Sequence, residues 1–111
     1  MSDLIEVVTT VAHHEEARSL AGKLIERRLA ACVQIIGPIT SVYRWQGNVE
    51  QSQEWMCRIK TPRELFDRLA AAIRELHSYE TPEIIALPVV AADADYVSWA
   101  VNETSQTRDA P

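Results

Sequence analysis

Apolar and polar positions along the chain change period several times, and each change marks a boundary. Leu4 to Val11 is apolar apart from Glu6 and two threonines, which predicts a buried strand. Ala17, Leu20, Ala21, Leu24 and Ile25 then recur at the three-and-four spacing of one helical face. Glu15 and Glu16 fall in the first turn of that helix, where its dipole favours negative charge, and Arg27 and Arg28 fall at the opposite end. Ala30 to Ile36 reads as a second strand, with Gly37-Pro38 as a bulge or bend. Strand-like residues continue from Ile39 to Trp45, Gln46-Gly47-Asn48 supplies turn chemistry, and Val49 to Lys60 forms the return arm. That arm spans about 40 Å at roughly 3.3 Å per residue, whereas a helix of about fifteen residues spans about 22 Å. The hairpin therefore outreaches the helices, and leaves Tyr43, Trp45 and Trp55 to be covered by another copy of the chain.

Thr61-Pro62-Arg63-Glu64 carries the signature of a helix start: threonine as N-cap, proline at the first position and glutamate completing a capping box. Leu65, Phe66, Leu69, Ala70, Ile73 and Leu76 give that helix its apolar face, and Ser78 to Pro82 ends it. Glu83 to Val89 reads as a strand, with Pro88 at an edge or at its end. Asp93 caps a last helix on which Tyr96, Trp99 and Ala100 share the docking face. The order defines an α+β fold, a ferredoxin-like split βαββαβ sandwich with a long β-hairpin and a short C-terminal helix. One domain over residues 1–104 and a polar, disordered tail over 105–111 are expected. The topology brings His13, His14, His77, Tyr79 and Glu83 to one end of the sheet, beside the hairpin.

Composition narrows the function. With 11 Lys and Arg against 16 Asp and Glu, the net charge of −5 excludes a nucleic-acid backbone as the main partner. No window reaches the length of a membrane span, and Met-Ser-Asp-Leu-Ile-Glu lacks a basic region followed by an apolar stretch, so a cytoplasmic location without membrane insertion is expected. A hairpin centred near Gly47 sets Cys57 opposite Gly37 and away from Cys32, which predicts two free thiols. His77 follows a helix end, where an imidazole either complements the dipole or ligates copper, nickel or zinc; His13 and His14 are further metal candidates. Lys60, with Arg44, Tyr79 and Glu83, is the candidate lining of a pocket for an anionic ligand. No nucleophile with a base, carboxylate pair or phosphate loop is legible, so the chain is not expected to be an enzyme, and no organic cofactor is expected.

Five ordered segments carry a family likeness: Leu29-Ala30-Ala31-Cys32-Val33, Tyr43-Arg44-Trp45-Gln46-Gly47, Ile59-Lys60-Thr61, His77-Ser78-Tyr79-Glu80-Thr81-Pro82-Glu83-Ile84 and Asp95-Tyr96-Val97-Ser98-Trp99. In these the chain resembles the CutA family of divalent-cation tolerance proteins over nearly its whole length. The resemblance implies a homotrimer with interlocking hairpins, akin to the PII signalling proteins, and a link to tolerance of copper and other divalent cations. Tyr43, Trp45 and Trp55 become candidate trimer-interface residues. Copper ligands proposed in the family are a cysteine on the first strand and a histidine pair before the Tyr-x-x-Pro-Glu segment. Here Thr9, Leu76 and His77 stand in those places. The rival reading is a PII-like sensor of a small metabolite, or a signalling scaffold, acting through a partner protein.

Overall fold

A computed structural model of the chain describes residues 3–106. Strand β1 (Leu4–Val11) is followed by helix α1 (His14–Glu26), strands β2 (Cys32–Trp45) and β3 (Asn48–Pro62), helix α2 (Phe66–Leu76), strand β4 (Ile85–Pro88) and helix α3 (Ala94–Glu103). The four strands form one antiparallel sheet in the order β2-β3-β1-β4, the arrangement expected of a split βαββαβ chain. Alternation along the strands gives the sheet two unlike faces. Ile5, Val7, Val11, Cys57 and Ile59 point to one face and pack with Leu20, Leu24, Leu69 and Ile73 from α1 and α2. Glu6, Glu54, Met56, Arg58 and Lys60 belong to the other face, where α3 covers only one end through Val97 and Ala100 against Leu4 and Ala31.

The hairpin sets the shape of the molecule. β3 has 15 residues, about 50 Å at 3.3 Å each, which matches the long dimension of the 51 × 31 × 22 Å molecule. α1, with 13 residues, reaches only about 20 Å. Gln46 and Gly47 both take positive φ (51° and 85°) between the paired residues Trp45 and Asn48, the requirement of a tight two-residue hairpin turn.

Several boundaries depart from the sequence pattern. Thr61 is no N-cap: it is fully buried, continues β3 opposite Ile5, and its Oγ1 donates to the Leu29 carbonyl at 2.8 Å. The core claims that threonine, and a 3₁₀ turn over Arg63–Leu65 delays α2 to Phe66. β4 is shorter than its apolar run, Ile85–Pro88 in place of Glu83 to Val89. The register shift between Ile36 and Ile39, at the Gly37-Pro38 bend, combines with the two-residue turn to set Cys57 opposite Ile35 and not Gly37; Cys32 faces Lys60, and both thiols are free. Ile25 lies outside the core. On α3 the docking residues are Val97 and Ala100, whereas Tyr96 and Trp99 are exposed and stack on each other at 5.6 Å. Asp93 does cap that helix, its Oδ2 accepting from the amides of Asp95 and Tyr96. Ser105 and Gln106 are placed, Gln106 donating to the Arg28 carbonyl; residues 107–111 of the expected tail lie outside the described residues.

Candidate functional site

The end of the sheet where β1 stops and α2 finishes gathers most of the chemistry the pattern singled out. His77 leaves α2 in extended conformation, and its ring is held at both nitrogens. Nε2 lies 2.8 Å from the Thr10 carbonyl and so donates to it, while Nδ1 accepts the Tyr79 amide at 3.0 Å. These two partners fix the neutral tautomer with its proton on Nε2 and occupy the lone pair a metal would need. His77 in this conformation is a bracket that ties the loop after α2 to β1, not an open ligand.

That bracket aims the next side chain. The Tyr79 ring lies 4.7 Å from the His77 ring, and its hydroxyl donates to Glu54 Oε2 at 2.6 Å on the uncovered face. Burial and the hydrogen bond and charge of Glu54 push the Tyr79 phenol far above the usual tyrosine range. Ser78, between them, donates its amide and its hydroxyl to Glu16 Oε2 on α1. The loop is thus fastened to β1, α1 and β3 by three consecutive residues.

The other histidines are near but separate. His14 opens α1 and stacks on Trp55, ring centroids 4.5 Å apart; His13 is exposed, and among the described residues no ring nitrogen of either is hydrogen-bonded. No cluster of three metal-ligating side chains is present among the described residues, so His13, His14 and His77 do not form one site within a subunit. Thr9 and Leu76 meet His77 at the same corner, but Thr9 is fully buried in the core and its hydroxyl has no partner.

The four candidate pocket residues are dispersed. Arg44 sits at the hairpin tip opposite Val49 and donates to the Gly47 carbonyl at 3.3 Å. Lys60 lies roughly eleven residues further along the same strand, about 36 Å at 3.3 Å per residue, so the two cannot share a ligand within one subunit. Glu83 is exposed on the loop before β4. Lys60 instead belongs to a cluster with Arg58, on the same face of β3, and with Glu6 and Gln34, which the pattern of residues did not join to it. Its Nζ lies 2.8 Å from Glu6 Oε2 and 2.9 Å from Gln34 Oε1, and Arg58 grips Glu6 with Nε at 3.0 Å and Nη2 at 2.9 and 3.0 Å. Burial works against ionising Glu6, but the hydrogen bonds and charges of Lys60 and Arg58 outweigh it and hold the carboxyl below the usual range. Glu6 was legible only as a polar interruption of an apolar strand; its register opposite Lys60 gives it a role.

The three aromatic residues assigned to subunit contact divide. Tyr43 and Trp45 lie on the exposed outer half of the hairpin, 42% and 54% accessible, with Val42 and Val49 exposed beside them. Trp55 has cover within its own chain: it packs on the core, between His14 and the backbone of Gly37. The bend at Gly37-Pro38 provides that space, since a methyl group at Gly37 would overlap the indole.

A split βαββαβ sandwich with an overlong hairpin, a half-open polar face and a loop bracketed to β1 defines a ferredoxin-like protein with an extended hairpin arm. The family model described as CutA1 divalent ion tolerance protein matches residues 5–103, and the chain belongs to that family. A divalent-cation tolerance protein CutA from Thermus thermophilus is 43% identical over 98 residues, covering 88% of this chain and 95% of the relative. The chloroplastic CutA 1 protein of Oryza sativa is 40% identical over 103 residues, covering 93% of this chain but 58% of the relative, so the chain spans little more than half of that longer protein. Among solved structures, CutA1 from Oryza sativa superposes with a TM-score of 0.92 at 39% identity, over 95% of this chain and 96% of that one. CutA1 from Ehrlichia chaffeensis gives 0.90 at 30% identity, over 95% and 98%.

Proposed function

We propose that the chain serves in divalent-cation tolerance as a homotrimer that takes up divalent cations, copper above all, at clefts between subunits. The observation that carries this reading is the hairpin: its outer half extends past the helices and exposes Tyr43, Trp45, Val42 and Val49 with no intrachain cover. A second copy of the chain supplies that cover, and in doing so brings donor groups from two subunits together. Such a shared cleft is where the ion binds, since one subunit offers no cluster of three ligands among its described residues. His13 and His14, with their ring nitrogens unbonded, are the donors in this reading; His77 keeps its bracketing role. Preference for copper follows from the general order of first-row divalent ions at nitrogen and oxygen donors.

The same reading makes the chain a cytoplasmic binding protein and not an enzyme. Supporting the reducing compartment, Cys32 and Cys57 sit at separate register positions as free thiols. Supporting a non-catalytic role, burial and the charge of Glu16 push the Cys57 thiol up to about 11, which leaves it protonated at neutral pH. Calorimetric titration with Cu(II) near neutral pH tests the site. Saturable binding that survives His77→Ala and disappears when His13 and His14 are both replaced by alanine supports it. Unsaturable binding, or binding indifferent to the double replacement, refutes it.

A second reading, a sensor of a small anionic metabolite or a scaffold acting through a partner protein, is favoured by one specific observation: two cations face the single carboxylate of Glu6 on the uncovered side of the sheet.

A further inference from the structure

Either cation alone would satisfy Glu6. Arg58 engages both carboxylate oxygens, and Lys60 adds a third donor to Oε2. The group therefore carries one surplus positive charge, in a chain whose net charge is −5. Donor capacity is also in surplus. Lys60 spends two of its three protons on Glu6 and Gln34, and Arg58 Nη1 has no partner among the described residues. The Lys60 side chain is 19% accessible and that of Arg58 44%, so the surplus charge is partly withdrawn from bulk water at Lys60 and open to an incoming anion at Arg58. Its surroundings are apolar: Leu87 is aligned with Glu6 across β4, and Cys32, beneath Tyr96 of α3, is aligned with Lys60 across β2.

We propose that Arg58 and Lys60, seated on Glu6 and flanked by Gln34, form a subsite for one anionic group, a carboxylate or a phosphate. Glu6 neutralises one of the two charges and competes for their donors; the anion takes the unspent protons of Lys60 Nζ and Arg58 Nη1. The anion belongs either to a free metabolite or to an acidic side chain of a second copy, since this face is the one the helices leave uncovered. The inference deepens the small-metabolite reading above and rests on it only for the source of the anion. If the anion proves to be a side chain of a second copy, the metabolite reading fails while the subsite stands, so the two fail distinguishably.

The test uses the full chain in its assembled form, titrated calorimetrically with inorganic phosphate and with citrate at constant ionic strength, beside Lys60→Gln, Arg58→Gln and Glu6→Gln. The first two variants retain a cation on Glu6, and circular dichroism verifies their fold. For a free anion the expected result is saturable binding, weakened about tenfold by either cation variant and strengthened in Glu6→Gln, where the internal competitor is gone. For an acidic side chain of a second copy, neither probe binds, and Lys60→Gln and Arg58→Gln each raise the concentration at which the assembly dissociates about tenfold. The proposal is overturned if neither probe binds saturably and both cation variants assemble as wild type does. It is equally overturned if Glu6→Gln weakens anion binding.

Discussion

Thr9→Val is the sharpest test of how the corner beneath the loop is built. Thr9 is fully buried on the helix-facing side of β1, aligned with Cys57, and its Oγ1 has no hydrogen-bond partner. A buried hydroxyl without a partner forfeits its hydration, about 1–3 kcal/mol. Valine has nearly the same shape and fills the space with a methyl group, so the replacement should return that cost without overpacking. For a chain of 111 residues a gain of 1 kcal/mol corresponds to a rise of about 4 °C or somewhat more in Tm. Urea unfolding at fixed protein concentration is the assay, because assembly couples to stability. Thr9→Ser serves as the counter-variant: it keeps the hydroxyl, loses the methyl, and should fall about 1 kcal/mol below wild type. A Thr9→Val protein less stable than wild type would refute the reasoning, because it would mean that the hydroxyl has a partner. Cu(II) binding should be unchanged in Thr9→Val; its loss would restore Thr9 to the ligand set.

Further expectations follow from the same geometry. The folded state holds Glu6 ionised below the usual carboxylate value of 4.5, so its pairing stabilises fully at neutral pH. That contribution drains away as the pH falls from about 4.5 through the depressed folded value, and an acid-unfolding curve should lose this component in Glu6→Gln. Tyr79→Phe removes the 2.6 Å bond to a buried carboxylate and should cost about 1–3 kcal/mol. In alkaline absorbance titration of the wild type Tyr79 should ionise last of the three tyrosines, after Tyr96, which burial also raises, and that last step should be missing in the variant. Gly37→Ala forces the Trp55 indole off the core and should cost about 1–3 kcal/mol with a red-shifted, more exposed tryptophan emission; unaltered emission would contradict the packing described.

The alternation of strands and helices made the fold plan legible, because the periods are unmistakable from Leu4 to Val11 and along α1 and α2. What misled was local chemistry overruled by packing. Thr61-Pro62-Arg63-Glu64 has every mark of a capping box, but Thr61 lies opposite Ile5 and the core holds it in the strand. Tyr96 and Trp99 are the largest apolar groups on α3, yet small Ala100 and Val97 let that helix approach the sheet. At the candidate site, the convergence of His77, Tyr79 and the start of α1 follows from topology alone and was foreseeable. The Glu6 cluster was not, since it joins residues 6, 34, 58 and 60 across three strands. The β1–β3 register sets Glu6 against Lys60, and only Gln34 owes its place to the β2–β3 register that shifts at Gly37-Pro38.

The exposed outer half of the hairpin is the proposed assembly surface. Light scattering of the purified chain at micromolar concentration tests this directly, with a variant replacing both Tyr43 and Trp45 by serine measured beside it. About three times the 12.5 kDa chain mass is expected for the wild type, and a lower mass for the variant. A wild-type chain that stays monomeric across that range would contradict it.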